Sequence, residues 1–190
     1  MTKPFARDVF RCAVLGLFAG LAWALFHWFF GFPMNLMIAA LVVFPFFEES
    51  IRLAALIIWR ASRGTAIYSG AAFGAGFGLV EAGLRWWDAI SGVGSTILGI
   101  VAPIGPLFMH IFLGILAWKF ISANKPAMGF ILCLAVHVLH NGIGVQIIWS
   151  GPSLSVALLI ACLQIFLYGA ATFLLARAVR RRIPADGGVS

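Results

Sequence analysis

Long apolar runs broken by short polar or Gly/Pro-containing joints set the pattern of this chain. Six such runs fall near residues 9–31, 34–59, 65–84, 103–121, 127–149 and 153–177. Each is close to or above the roughly 20 residues that an α-helix needs to cross a hydrocarbon core about 30 Å thick. In hydrocarbon every backbone N–H and C=O must be satisfied inside its own segment, so runs of this length predict helices rather than strands. The joints are Gly31 to Pro33, Arg60 to Gly64, Ser122 to Pro126 and Ser150 to Pro152, with one longer connection from Arg85 to Ala102. No soluble domain, repeat or low-complexity tract interrupts them. The expected fold class is all-α: a single-domain, polytopic transmembrane helical bundle of about six spans.

The charged residues orient this bundle. Lys3, Arg7 and Arg11 precede the first run, Arg60 and Arg63 follow the second, Lys119 and Lys125 flank the end of the fourth, and Arg177, Arg180, Arg181 and Arg182 follow the sixth. All but Arg52 and Arg85 of the 13 basic residues thus fall on one side of a six-span chain. Cytoplasmic loops carry the excess of Lys and Arg, which predicts both termini cytoplasmic. Five or seven spans would break the alternation. Trp28, Phe29, Phe30, Trp86, Trp87 and Trp149 then cluster near the outer ends, where amphipathic rings favour the lipid–water interface. His27 reads as another interface residue.

Composition agrees. The 190 residues are 63% hydrophobic and 10% charged, against about 25% charged in soluble domains, and the mean hydropathy is +1.05. A net charge of +7 invites a nucleic-acid partner, but these basic residues sit in short joints and termini and act as topology determinants; the expected partner is the lipid bilayer, with no nucleic acid. Cys12, Cys133 and Cys162 lie in apolar segments and form no CxxC pair, so they say nothing about redox compartment. The first apolar run is too long for a signal-peptide core and lacks a small-residue cleavage site, which makes it an uncleaved span.

Against this background a few polar residues stand out. Glu48, Glu49 and Arg52 interrupt the second run, Glu81 the third, His110 the fourth, and His137, His140 and Asn141 the fifth. An ionisable group at the bilayer centre costs about 2.5–3.5 kcal/mol on insertion scales, so such groups need partners or work to do. At 1.5 Å rise per residue, Glu48 and Glu49 lie about 16 Å from Trp59, His137 about 15 Å from Ala127 and His110 about 14 Å from Lys119. All three levels fall near the midplane. Glu81 lies about 24 Å from Thr65, nearer the outer face, unless its helix tilts or breaks. Gly70, Gly74 and Gly78 recur every fourth residue on that helix, a spacing that lets backbones approach closely in lipid and brings Glu81 towards its neighbours.

Arg52 is three and four residues beyond Glu49 and Glu48, within reach of either carboxylate. His137 and Asn141 share one face of the fifth helix, and His140 points partly elsewhere, as a packing residue. Such a set supports several chemistries: a carboxylate as general base on water with His and Asn at an oxyanion, a divalent metal held by carboxylates and histidines, or a proton relay in a transporter. A hydrogen-bond network that only holds the bundle together is the structural alternative.

In order and spacing these residues resemble the PrsW family of intramembrane proteases, which belongs to a superfamily with the CAAX prenyl endopeptidases, bacteriocin-processing proteins and the scaffold subunit of γ-secretase. Glu48-Glu49-Ser50-Ile51-Arg52 resembles the EExx(K/R) motif, with arginine where lysine is commoner. Gly76-Phe77-Gly78-Leu79-Val80-Glu81 resembles the glycine-rich helix ending in glutamate, though Ala82 stands where the family pattern has asparagine. His110 with Gly114 resembles the third motif, and His137 to Asn141 the last, HxxxN. The resemblance covers roughly residues 45–145 and implies a peptidase of a prokaryotic cell membrane that cleaves membrane proteins or membrane-associated peptides. Glu48 would activate the attacking water, Glu49 and Arg52 would orient it, His110 would help position water or metal, and His137 and Asn141 would stabilise the oxyanion. If the enzyme is metal-dependent, Glu48, Glu81, His110 and His137 would hold Zn2+. A proton- or metal-coupled transporter and a non-catalytic membrane scaffold are the competing expectations. The glycine-rich stretch from Ser91 to Ala102 is a candidate gate.

Overall fold

The computed structural model describes residues 3–30, 39–63, 68–90, 100–150 and 153–180. Among them there is no strand. Helices α1 (Lys3–Phe30), α2 (Phe44–Arg63), α3 (Tyr68–Ile90), α4 (Ile104–Ser122), α5 (Pro126–Ser150) and α6 (Leu154–Arg180) follow one another, with a π-helical turn at Ala39–Val43 entering α2. Each helix overlaps one of the six apolar runs. The second differs most from expectation, because residues 39–43 of it form a π turn and the described α-helix follows from Phe44. Pro45 has no N–H to donate to Leu41, so an α ladder cannot pass through this point, and the wider π turn takes its place.

Among the described residues, four helices contain stretches long and apolar enough to cross a membrane: Ala6–Leu25, Ile104–Ser122, Pro126–Ile143 and Leu154–Ala178. Helix α2 carries Glu48, Glu49, Arg52, Arg60 and Arg63, and α3 carries Glu81, Arg85 and Asp88. These two are the helices that bring acidic side chains to the interior. Apolar character and site-building therefore trade against each other along the same chain.

Helix α4 is the hub. It packs against α2, α3, α5 and α6, while α3 is sandwiched between α1 and α4. More than half of the α4 span is buried, against 6% of the α6 span, so α6 presents most of its surface outward. A tight turn makes α4 and α5 an antiparallel hairpin. Asn124 adopts a left-handed conformation (φ 57°), and Lys125 N donates to Phe120 O at 2.8 Å. That closes the helix with its last carbonyls satisfied. Pro126 then opens α5, where its missing N–H is not needed.

The glycines of α3 set how close the central helices come. A Cβ on Gly70 would run into Gly114 O, one on Gly74 into His110 O, and one on Gly78 would lie 3.1 Å from His110 Cβ and Leu107 Cα. On the other side of α3, Gly76 faces Ala13 O, while Gly16 of α1 faces Phe73 O. The stripe read from sequence is thus a backbone-to-backbone seam, and it presses His110 against the helix that bears Glu81. Of the interface aromatics, Trp86 donates its indole N–H to Ile100 O at 3.0 Å and Trp87 is exposed. The side chains of His27, Trp28, Phe29, Phe30 and Trp149, and residues 91–99 of the proposed gate, lie outside what is described.

Gly74→Ala would drive a methyl group into the His110 carbonyl, and overpacking of this kind costs roughly 1–3 kcal/mol. Gly83→Ala is the control, because a Cβ there meets nothing within 4 Å. Thermal unfolding in detergent should show a lower midpoint for Gly74→Ala and an unchanged or raised one for Gly83→Ala.

Candidate active site

Glu48 and Glu49 occupy the first half of α2, just after the π turn, and Arg52 follows one turn later. All three are buried, Arg52 completely. An interior guanidinium must be neutralised, and Arg52 Nη2 lies 3.5 Å from Glu49 Oε1. Its stronger contact is with α4: Nη2 is 2.5 Å from His110 Nδ1. The guanidinium also lies over the Phe77 ring, 5.5 Å from its centroid, and Phe77 packs against His110.

These contacts fix the state of His110. A guanidinium only donates, so Nδ1 accepts and the ring proton resides on Nε2. That N–H donates to Glu81 Oε2 at 2.5 Å. The other oxygen of Glu81 takes Arg85, with Nη2 at 2.5 Å and Nε at 3.0 Å. Arg52, His110, Glu81 and Arg85 therefore form one chain, from a fully buried guanidinium to a half-exposed one. The helix that carries Glu81 is unbroken from Tyr68 to Ile90, so no helix break brings Glu81 to His110. Close packing along the glycine seam brings the two side chains together. The i, i+4 spacing of Glu81 and Arg85 was the available sequence signal for Arg85, which topology alone had marked only as a basic residue on the far side.

His137 of α5 completes the cluster. Its Nδ1 is 2.8 Å from Glu49 Oε1, which makes Nδ1–H the donor and leaves the Nε2 lone pair facing Glu48 Oε2 at 3.5 Å. Glu48 Oε2 is also 3.9 Å from His110 Nε2. The two imidazoles meet edge to face, with centroids 5.4 Å apart. Among the described residues Glu48 Oε2 makes no hydrogen bond to the protein. Two acceptors directed at each other, Glu48 Oε2 and His137 Nε2, create a position suited to a hydroxylic species that donates to both.

The two adjacent carboxylates thus differ in their surroundings. Glu49 is committed to Arg52 and His137, while Glu48 presents an unengaged oxygen to the two histidines. Asn141, one turn beyond His137 on α5, is half-buried and has a partner of its own. His140 is buried with its ring 5.5 Å from that of Tyr168, in keeping with a packing role.

The ligand atoms of Glu48, His110 and His137 all lie within 4.8 Å of one another. A tetrahedral Zn2+ with bonds of about 2.1 Å places its ligands about 3.4 Å apart, so these separations alone suit a metal. The donor set does not. His110 Nε2 carries the ring proton that Glu81 accepts, and freeing it while Nδ1 still accepts from Arg52 would require an imidazolate. Only Glu48 and His137 are left with lone pairs aimed at the common position. Set against protein-family models, curated proteins and solved structures, the chain matches none of them.

Proposed function

We propose that this protein is an intramembrane endopeptidase, similar to the PrsW family, in which Glu48 activates water to hydrolyse peptide bonds of membrane-associated proteins. The observation that carries the reading is the buried, unengaged Glu48 Oε2, 3.5 Å from the lone pair of His137 Nε2. A general base has to sit within hydrogen-bond reach of the proton it removes. Here both acceptors face one position, and the His137 ring has its orientation held by Glu49.

A water molecule at that position donates one hydrogen to Glu48 Oε2 and the other to His137 Nε2. As its oxygen bonds to the scissile carbonyl carbon, Glu48 takes the proton. The same proton passes to the departing amide nitrogen when the C–N bond breaks, and Glu48 returns to the carboxylate. Glu49 holds the His137 ring through Nδ1–H in the way a buried carboxylate holds the histidine of a hydrolytic triad. The resemblance assigns the oxyanion to His137 and Asn141. Because Glu49 holds Nδ1–H and Nε2 accepts from the water, the Asn141 amide is the member of that pair left to donate to the oxyanion. Arg52 fixes Glu49 and His110, and Glu81 fixes the other side of His110. No step is routed through a metal, since His110 is not in the protonation state of a ligand.

A six-span arrangement with both termini cytoplasmic accompanies this proposal and places the site near mid-membrane. One observation favours a second reading, a proton-coupled transporter: the hydrogen-bonded His110–Glu81 pair, which leads from the buried cluster to a part-exposed carboxylate. Proton flux in liposomes that Glu48→Gln abolishes, without any peptide cleavage, would select it. A scaffold is distinguished by partner binding that survives the loss of Glu48.

Three outcomes follow. Glu48→Gln should lower cleavage of a membrane-anchored reporter by about 10²–10⁴-fold, the usual contribution of a general base, with insertion and helicity unchanged; parental activity in this variant would sink the hydrolase reading. Chelators such as 1,10-phenanthroline should leave cleavage intact, and loss of activity restored by Zn2+ would show that His110 rearranges into a ligand. Labelling of single cysteines placed near Lys3 and Arg182 should succeed only from the cytoplasmic side, and at Arg85 only from the opposite side.

A further inference from the structure

Away from the buried cluster, the outer face of α2 and the start of α5 border two adjoining cavities. One, of about 520 Å³, is lined by Ser50, Leu53, Ala54, Ile57, Ala127, Phe130 and Ile131 and is almost wholly apolar. The other, of about 500 Å³, is lined by Ile57, Arg60, Ile121, Asn124 and Pro126. Ile57 belongs to both, so together they form one trough with an apolar floor and a polar end.

We propose that this trough binds an anionic phospholipid, with its phosphate on Arg60 and one acyl chain lying along α2 towards Ser50. The inference needs only that the chain lies in a bilayer and does not depend on the hydrolase reading. Length supports it first. From Arg60 to Ser50 is 10 residues, or about 15 Å of helix, which equals one leaflet of a hydrocarbon core about 30 Å thick. Width supports it next. A helix about 10 Å across fills roughly 420 Å³ per turn, so the apolar cavity holds little more than one turn. A flexible acyl chain can follow an open trough of this size along its length.

Charge complementarity identifies the headgroup. Segments 53–63 and 115–131, which flank the polar end, contain Arg60, Arg63, Lys119 and Lys125 and no Asp or Glu. Arg60 is half-buried, and its Nη1 donates to Ile121 O and to Asn124 Oδ1. Those bonds hold the guanidinium against the end of α4, while the three N–H groups left on Nε and Nη2 suit a phosphate. Basic pockets between helices at the membrane surface are suited to anionic headgroups. A zwitterionic headgroup brings a cation to the same place and gains less.

The test uses the full-length protein in detergent micelles, with lipid retention read by native mass spectrometry. Phosphatidylglycerol and phosphatidylcholine with identical acyl chains are compared, and inorganic phosphate is added in a separate arm. The parent should hold phosphatidylglycerol about tenfold more tightly than phosphatidylcholine, as expected for a charge-assisted hydrogen bond. Arg60→Gln should erase that preference. Ala54→Trp, which fills the apolar cavity from an exposed position without touching Arg60, should weaken both lipids. Equal retention of the two lipids by the parent overturns the proposal, as does a phosphatidylglycerol preference that survives in both variants. If inorganic phosphate alone raises the unfolding temperature as much as phosphatidylglycerol does, the pocket reads a free anion and the lipid assignment fails. Displacement of bound lipid by an apolar helical peptide lacking a phosphate would likewise reassign the trough to a peptide.

Discussion

Arg52 carries a charge it cannot discard, at a position with no solvent exposure. A carboxylate or an imidazole can escape burial by changing its protonation state, but a guanidinium remains protonated at any accessible pH. Its surroundings must therefore supply countercharge and acceptors permanently. Glu49 supplies the first and His110 Nδ1 the second. Removing one member of such a buried set leaves another charge uncompensated, at a cost of about 3–5 kcal/mol. The consequences pass outward in order. His110, held as an acceptor by Arg52, can only donate on its other side, and Glu81 receives that proton. Glu49, held by Arg52, in turn orients His137. Glu48 is left as the carboxylate not tied into this network, which is the condition that the proposed water activation needs.

That electrostatic arrangement depends on a steric one. His110 reaches Glu81 because α3 and α4 meet backbone to backbone at Gly70, Gly74 and Gly114. Without side chains at those positions the helices gain no burial from large residues, and their association rests on close van der Waals contact along the seam. The hydrogen bonds across the seam add specificity of register. A shift of α4 by one residue along α3 would turn His110 by about 100° and break its bonds to Arg52 and Glu81 together. The glycine seam and the charged chain therefore select the same register.

Much of this was legible in the sequence, for identifiable reasons. Helices were readable from apolar run length, and the observed elements overlap the expected spans because the breaks fall at Gly, Pro and Lys/Arg clusters. The membership of the site was readable because ionisable residues in apolar helices are rare and expensive, so Glu48, His110 and His137 announced themselves individually. Their depths could be compared by counting residues. What counting could not supply was direction across the bundle. Which carboxylate faces Arg52 depends on how α2 is rotated against α4 and α5, and both spacings, i+3 and i+4, allow the contact. The start of α2 was also illegible, because a tract that looks uniformly apolar gives no sign that Pro45 diverts the ladder into a π turn. Arg85 escaped notice because topology explained it as a lone charge outside the core.

Proximity alone would make Glu48, His110 and His137 a metal site, and the bonding pattern around them argues otherwise. Three ligand atoms within 4.8 Å satisfy geometry, yet a histidine ligates through a lone pair and needs its proton on the opposite nitrogen. His137 meets this condition, since Glu49 holds Nδ1–H and so fixes the tautomer, the same arrangement that orients metal-bound histidines. His110 fails it, because Arg52 occupies the nitrogen where that proton would have to be. The identity of one neighbour therefore decides the chemistry open to an imidazole: a carboxylate behind the ring frees the far lone pair, and a guanidinium behind it removes one. Arg52 thereby makes His110 a donor that holds Glu81, while Glu49 makes His137 an acceptor that faces the same position as Glu48.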